Sequence, residues 1–145
     1  MNEIKHAVIC VDDDEMILQM LNFQLCKIMD TTNTLVEFFL DPALALHVID
    51  DLVSQNIEVI FIIVDFQMPN LNGAQLIRAL KEKHQELLFI MLSGQANAAQ
   101  IEELFQEKLL HSFIHKPWSE ATLREAIIPV FTRKKLQNII QATDE

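Results

Sequence analysis

Apolar positions fall into two alternating rhythms along this chain. Short unbroken runs of β-branched and large aliphatic residues have the length and make-up of strands: "AVICV" (7–11), "LVEFFL" (35–40), "VIFIIV" (59–64), "LLFIML" (87–92) and "HSFIH" (111–115). Between them the apolar residues return every three or four positions, as on one face of a helix. Ile17, Met20, Leu21, Leu25 and Ile28 make the first such stripe, and Met16 is expected in the same core. Asp41 is the expected N-cap of a helix over 41–53, with Pro42 at its first position. Asn72-Gly73 precede a helix over 74–84 that buries Leu76, Ile77 and Leu80. A fourth helix, within 97–110, carries Ile101, Leu104 and Phe105. The fifth starts after Pro117, capped by Ser119, and presents Leu123 and Ile127. Pro129 is expected to kink or break it, because proline lacks an N–H and clashes with the preceding turn. Leu136, Ile139 and Ile140 then resume the helical rhythm to about Gln141.

Five strands alternating with five helices predict an α/β fold, a (βα)5 doubly wound parallel sheet covered by helices on both faces. "VIFIIV" suits a central strand buried on both sides, and the more mixed "LVEFFL" an outer one. The 145 residues are one domain's worth of chain, with residues 1–128 as the domain and 129–145 as a C-terminal helical extension or linker stump. Whether that tail packs, pairs two copies or leads elsewhere stays open.

Charge narrows the partners. Twenty-one acids against eleven bases leave a net charge of −10, which repels nucleic acid and anionic membranes. "TRKK" (132–135) is the one dense basic cluster and reads as a solvated helix face. The longest apolar runs are far too short to span a bilayer, and the N-terminus lacks the layout of a signal peptide. Cys10 and Cys26 have no metal spacing and are expected to be buried free thiols, which fits a cytoplasmic protein. His6, His47, His84, His111 and His115 share no metal-binding pattern.

The chemistry gathers where the strands end. All strands of a parallel sheet finish on one side, and ligands of open α/β sheets bind along that carboxyl edge. Strand one is followed by Asp12, Asp13, Asp14 and Glu15, strand three by Asp65, strand four by Ser93-Gly94, and strand five by Lys116-Pro117. Carboxylates crowded together repel, and a bound hard cation relieves them. Oxygen ligands without histidine or cysteine point to magnesium, with manganese as the alternative. Lys116 can balance a further anionic oxygen, and Ser93 can donate a hydrogen bond to it. An aspartate can itself become an acyl phosphate, and Asp65, the lone acid on the central strand, is the expected nucleophile. Asp14 and Glu15 read as solvated loop acids, Trp118 and Phe113 as packing residues.

Together "VDDDE" (11–15), "DFQMPNLNG" (65–73), "SG" (93–94) and "FIHKP" (113–117) resemble the receiver domain of two-component response regulators, over roughly residues 6–128. The resemblance implies a flavodoxin- or CheY-like sheet with strand order 2-1-3-4-5. It implies that Asp65 accepts a phosphoryl group, and that Asp12, Asp13, Asp65 and the Gln67 backbone carbonyl serve a magnesium ion. Ser93 then corresponds to the switch hydroxyl, Phe113 to the aromatic switch position, and Lys116 to the phosphate contact before a cis Pro117. Gln67 and Gln95 match positions that tune phosphoryl lifetime. The implied partners are a sensor histidine kinase or histidine phosphotransfer protein and a downstream protein target or output domain, with a homodimer as a further option. The output would be read on the fourth helix, fifth strand and fifth helix, without turnover of a separate substrate. Two other readings are a docking module that works without phosphate and an aspartate-nucleophile phosphatase of the haloacid dehalogenase type, whose D-x-D pattern residues 12–14 formally satisfy.

Overall fold

Each apolar run becomes a strand and each helical stripe a helix in the computed structural model, which describes residues 3–94 and 98–144, with side chains through residue 134 and at Leu136. Gln95, and the side chains of Ile139 and Ile140, lie outside the described residues. The strands are β1 (His6–Val11), β2 (Thr34–Phe39), β3 (Glu58–Asp65), β4 (Phe89–Ser93) and β5 (Ser112–His115). The helices are α1 (Glu15–Ile28), α2 (Pro42–Ser54), α3 (Gly73–Lys83), α4 (Ala98–Gln106) and α5 (Glu120–Asp144). All neighbouring strands pair in parallel, in the order β2-β1-β3-β4-β5. β3 is therefore central and β2 an edge, as the polarity of their sequences requires.

The period of two along each strand divides the interior into two cores. Ala7, Ile9, Val11, Ile62 and Val64 pack on the side of α2, α3 and α4, with Leu76, Ile77 and Leu104. Val8, Cys10, Ile63 and Leu92 pack on the side of α1 and α5, with Leu21, Leu25, Leu123 and Ile127. The register between β1 and β3 shifts between Ala7 and Val8, where Val59 and Phe61 become successive partners. That extra residue sends both Ile60 and Phe61 into the α1/α5 core. Burying one such side chain contributes about 1.5–3 kcal/mol.

Four expectations fail on detail. α1 buries Leu18, Leu21, Leu25 and Ile28, whereas Met16 and Met20 face outward, Met16 with 77% of its surface exposed. The stripe is turned from the expected one because apolar residues crowd this helix on several faces, and only packing selects among them. Phe105 is also exposed, as is Cys26, while Cys10 is fully buried. Finally, α5 is one helix running through Pro129. Pro129 and Glu125, whose carbonyl loses its helical donor to the proline, are both exposed, so water can satisfy that oxygen. Beyond it, Val130 and Phe131 are buried in the α1/α5 core and Lys134 pairs with Glu58 at 3.3 Å.

The remaining boundaries follow local rules. The Asp41 side chain accepts from the Ala43 N–H at the start of α2. Asn72 and Gln75 form a reciprocal capping box at the start of α3. No helix of the described residues is long and apolar enough to cross a membrane.

Candidate functional site

Three consecutive aspartates at the end of β1 have three different surroundings. The Asp12 N–H donates to the Phe39 carbonyl at 3.1 Å, which fixes it to the end of β2. Its carboxylate is buried, and Oδ1 accepts from the Asp14 N–H at 2.9 Å. Asp13 stands exposed at the mouth. Asp14 caps α1 by accepting from the Met16 N–H at 2.9 Å. The expectation of a solvated acid holds for Asp14, which is also a helix cap.

Asp65 is the last residue of β3 and is buried. The next residue is held on both sides: the Phe66 N–H donates to Leu92 O at 3.1 Å, and Phe66 O accepts from the Gly73 N–H at 2.8 Å. That contact brings α3 so close that a Cβ on Gly73 would lie 2.4 Å from the Asp65 carbonyl oxygen. Glycine is required there by proximity, and the start of α3 thereby buttresses the peptide that carries Asp65. Gln67 follows as an exposed residue of the loop.

Lys116 joins these carboxylates from the far side of the sheet. Its N–H donates to Ser93 O at 3.1 Å, and the Lys116–Pro117 peptide is cis. Its Nζ lies 2.8 Å from Asp12 Oδ2 and 3.1 Å from Asp65 Oδ1. Ser93 is buried, and its Oγ has no hydrogen-bond partner among the described residues. A buried hydroxyl without a partner is costly and uncommon. It leaves a donor beside the lysine for a group that brings its own oxygen.

Burial dominates the electrostatics. It pushes the Asp65 carboxyl up from 3.8 to about 6, helped by the negative charge of Asp12 and opposed by Lys116. Burial also raises Asp12, against the Lys116 hydrogen bond that favours its charged form. For Lys116, burial works against the charge, but the hydrogen bond and charge of Asp12, with those of Asp65, outweigh it and raise its pKa.

Carboxylate oxygens of Asp12, Asp13 and Asp65 lie within 4.8 Å of one another. The set is all oxygen, two of its members are buried and one is open to solvent, so it fits a hard divalent cation that keeps some coordination positions free. The structure thus brings Asp12, Asp13, Asp65, Ser93 and Lys116 to one edge from four strands. Phe113 stands apart from them, half-buried on β5 against the α2/α3/α4 core. The exposed His115 ring packs against it in a T-shaped pair, ring centroids 4.7 Å apart and planes at 85°. Reading the sequence missed one polar contact near the site: the Trp118 indole N–H donates to Gln24 Oε1 at 2.7 Å. The signal available was the indole itself, whose single donor usually finds a partner when the ring packs.

Comparison with known proteins agrees with this geometry. The response regulator receiver domain family matches residues 8–128. Chemotaxis protein CheY-3 of Vibrio cholerae is 31% identical over 75 residues, 50% of this chain and 57% of that protein. Chemotaxis protein CheY of Pseudomonas aeruginosa is likewise 31% identical over 75 residues, 50% of this chain and 60% of its own. These matches span little more than half the length of either relative. Among solved structures, a response regulator receiver domain protein from Clostridium thermocellum superposes with a TM-score of 0.73 at 23% identity, covering 91% of this chain and 98% of its own. A CheX-CheY-BeF3-Mg2+ complex from Borrelia burgdorferi gives 0.74 at 17% identity, covering 87% and 89%. With the sheet order, the acidic edge and a match over most of the chain in agreement, this chain belongs to the response regulator receiver domain family.

Proposed function

We propose that the chain is a phosphorylation switch in which Asp65 takes a phosphoryl group from a phosphohistidine on a sensor kinase or phosphotransfer protein. The observation that carries this reading is the placing of Lys116 Nζ between Asp12 and Asp65. The adjoining strand end adds the buried, unpartnered Ser93 hydroxyl. In the transfer, an Asp65 carboxylate oxygen forms a bond to phosphorus while the phosphorus–nitrogen bond to the donor imidazole breaks. The nitrogen keeps the electron pair, so no further reactant is needed. Asp12, Asp13 and Asp65, with the Gln67 carbonyl, would hold magnesium, or manganese, which supplies charge compensation for the phosphoryl oxygens. Lys116 offers its ammonium to one of those oxygens, and Ser93 donates its hydroxyl to another. Loss of the phosphoryl group follows when water attacks phosphorus and Asp65 departs as a carboxylate. The chain is then both reagent and product, and no separate substrate turns over.

Readout lies on α4, β5 and α5. An apolar recess between α4 and β5 is lined by Ile101, Phe105, Phe113 and His115. Movement of Ser93 toward the phosphoryl group and of Phe113 within this recess changes the surface met by a downstream protein, an output domain or a second copy. Residues 1–128 form the receiver unit, and the burial of Val130 and Phe131 attaches the first turn of the 129–145 extension to it. Incubation with acetyl phosphate and magnesium tests the reading: intact mass should rise by one phosphoryl group, and not in Asp65→Asn. Equal labelling of that variant overturns the assignment of Asp65. Equal partner affinity with and without beryllofluoride would favour phosphate-independent docking.

A further inference from the structure

Lys116 is a long, flexible side chain, yet it must hold one position between two carboxylates. Its backbone is fixed on one side by the bond from its N–H to Ser93 O. On the other side comes Pro117, which has no N–H to donate, and then Trp118. The indole is half-buried against the α1/α5 core, and its donor is taken by Gln24 of α1, 94 residues away in sequence. Gln24 is itself half-buried, between Leu21 and Leu25, whose side chains are fully packed.

α1 also begins at the carboxylates. Asp12 accepts from Asp14, Asp14 caps the helix, and Gln24 lies ten residues further on, about 15 Å along the axis. The chain and two polar contacts therefore close a ring: Asp12, α1, Gln24, Trp118, Pro117, Lys116 and back to Asp12. The two closures are similar in length, 2.7 Å from Trp118 to Gln24 and 2.8 Å from Lys116 to Asp12. Ring closure restricts each member more than a single contact does, because a shift at Lys116 must be accommodated along α1 or at the indole.

We infer that Trp118 and Gln24 are positioning residues, whose hydrogen bond fixes the segment after β5 and so sets where the Lys116 ammonium stands. This deepens the switch reading and rests on it for its effect on phosphoryl transfer, while its effect on geometry does not. Trp118→Phe keeps an aromatic ring in the packing and removes the N–H. Gln24→Met keeps the length of the side chain and removes the amide oxygen, whereas Gln24→Glu retains an acceptor.

Labelling of Asp65 by acetyl phosphate at saturating magnesium should slow about three- to tenfold in Trp118→Phe and in Gln24→Met, the scale expected when a charge-stabilising group is misplaced without being lost. The magnesium concentration for half-maximal rate should not move, because no ligand has changed. Gln24→Glu should recover most of the rate, and the double variant Trp118→Phe/Gln24→Met should be no slower than either single one, since both remove the same bond. Without any donor or metal, the Ser93 and Lys116 backbone amide resonances should shift in the two disrupting variants and return toward their original positions in Gln24→Glu. Parent-like rates with parent-like amide resonances in folded Trp118→Phe and Gln24→Met would overturn the inference, as would equal damage in Gln24→Glu and Gln24→Met. If the parent itself takes no phosphoryl group, the switch reading fails, and the amide resonances alone decide the role of the ring.

Discussion

Two cations in this protein each face two carboxylates, and their surroundings separate them. Lys116 lies between Asp12 and Asp65, whose side chains are only 1% and 7% exposed, at the carboxyl edge of the sheet. Arg78 of α3 reaches across to Glu103, at 3.7 Å, and to Glu107, on and just beyond α4, and all three side chains are more than 40% exposed. In the open cluster, water and salt screen the charges, and each pair contributes about 0–1 kcal/mol. In the closed cluster two carboxylates have lost much of their water, and one lysine does not restore what burial removes. The same pairing of charges thus joins two helices at one place and holds unrelieved charge at the other.

The largest test of this contrast is to remove each cation. Lys116→Met should slow acetyl phosphate labelling of Asp65 by about a hundredfold or more, the scale of losing a charge-stabilising donor. Arg78→Met should leave the labelling rate near that of the parent. Comparable loss in both would mean that burial does not distinguish the clusters.

A second test is titration of the metal-free protein. Asp65 has its folded pKa raised from 3.8 to about 6. The folded form therefore holds its proton more tightly, and the resulting stability is full below about pH 4 and lost as pH rises through about 6. Urea unfolding in the presence of a chelator should show stability falling by about 1–3 kcal/mol between pH 4 and pH 7.5. Asp65→Asn should flatten most of that slope, and an unchanged slope would remove Asp65 as its source.

The smallest expected effect belongs to the exposed cluster. Arg78→Met should cost no more than about 1 kcal/mol in low salt, and less in 1 M salt. A larger loss that persists in high salt would show that Arg78 contributes by packing.

The closed cluster was the more legible of the two in sequence. Asp12, Asp13, Asp65, Ser93 and Lys116 each follow an apolar run, and parallel order alone brings strand ends together, so period and punctuation were enough. Sheet polarity was legible for the same reason, since β3 is apolar from Val59 to Val64 and β2 is mixed. What failed was the choice of face on α1. Met16, Ile17, Leu18, Met20, Leu21 and Phe23 offer apolar residues in several directions, and the core accepts only one stripe. The course of α5 was hidden because a proline's local cost was visible and the compensating burial of Val130 and Phe131 was not. Contacts across long separations, Trp118 with Gln24 and Arg78 with Glu107, leave no periodic trace at all.

The half-buried Trp118 indole also determines what light reports about this protein. The chain has one tryptophan and no tyrosine. Its near-ultraviolet emission therefore arises from one place, two residues beyond the lysine that faces Asp12 and Asp65. That emission reports on the seat of the indole against the α1/α5 core and Gln24, with no background from a second indole in this sequence.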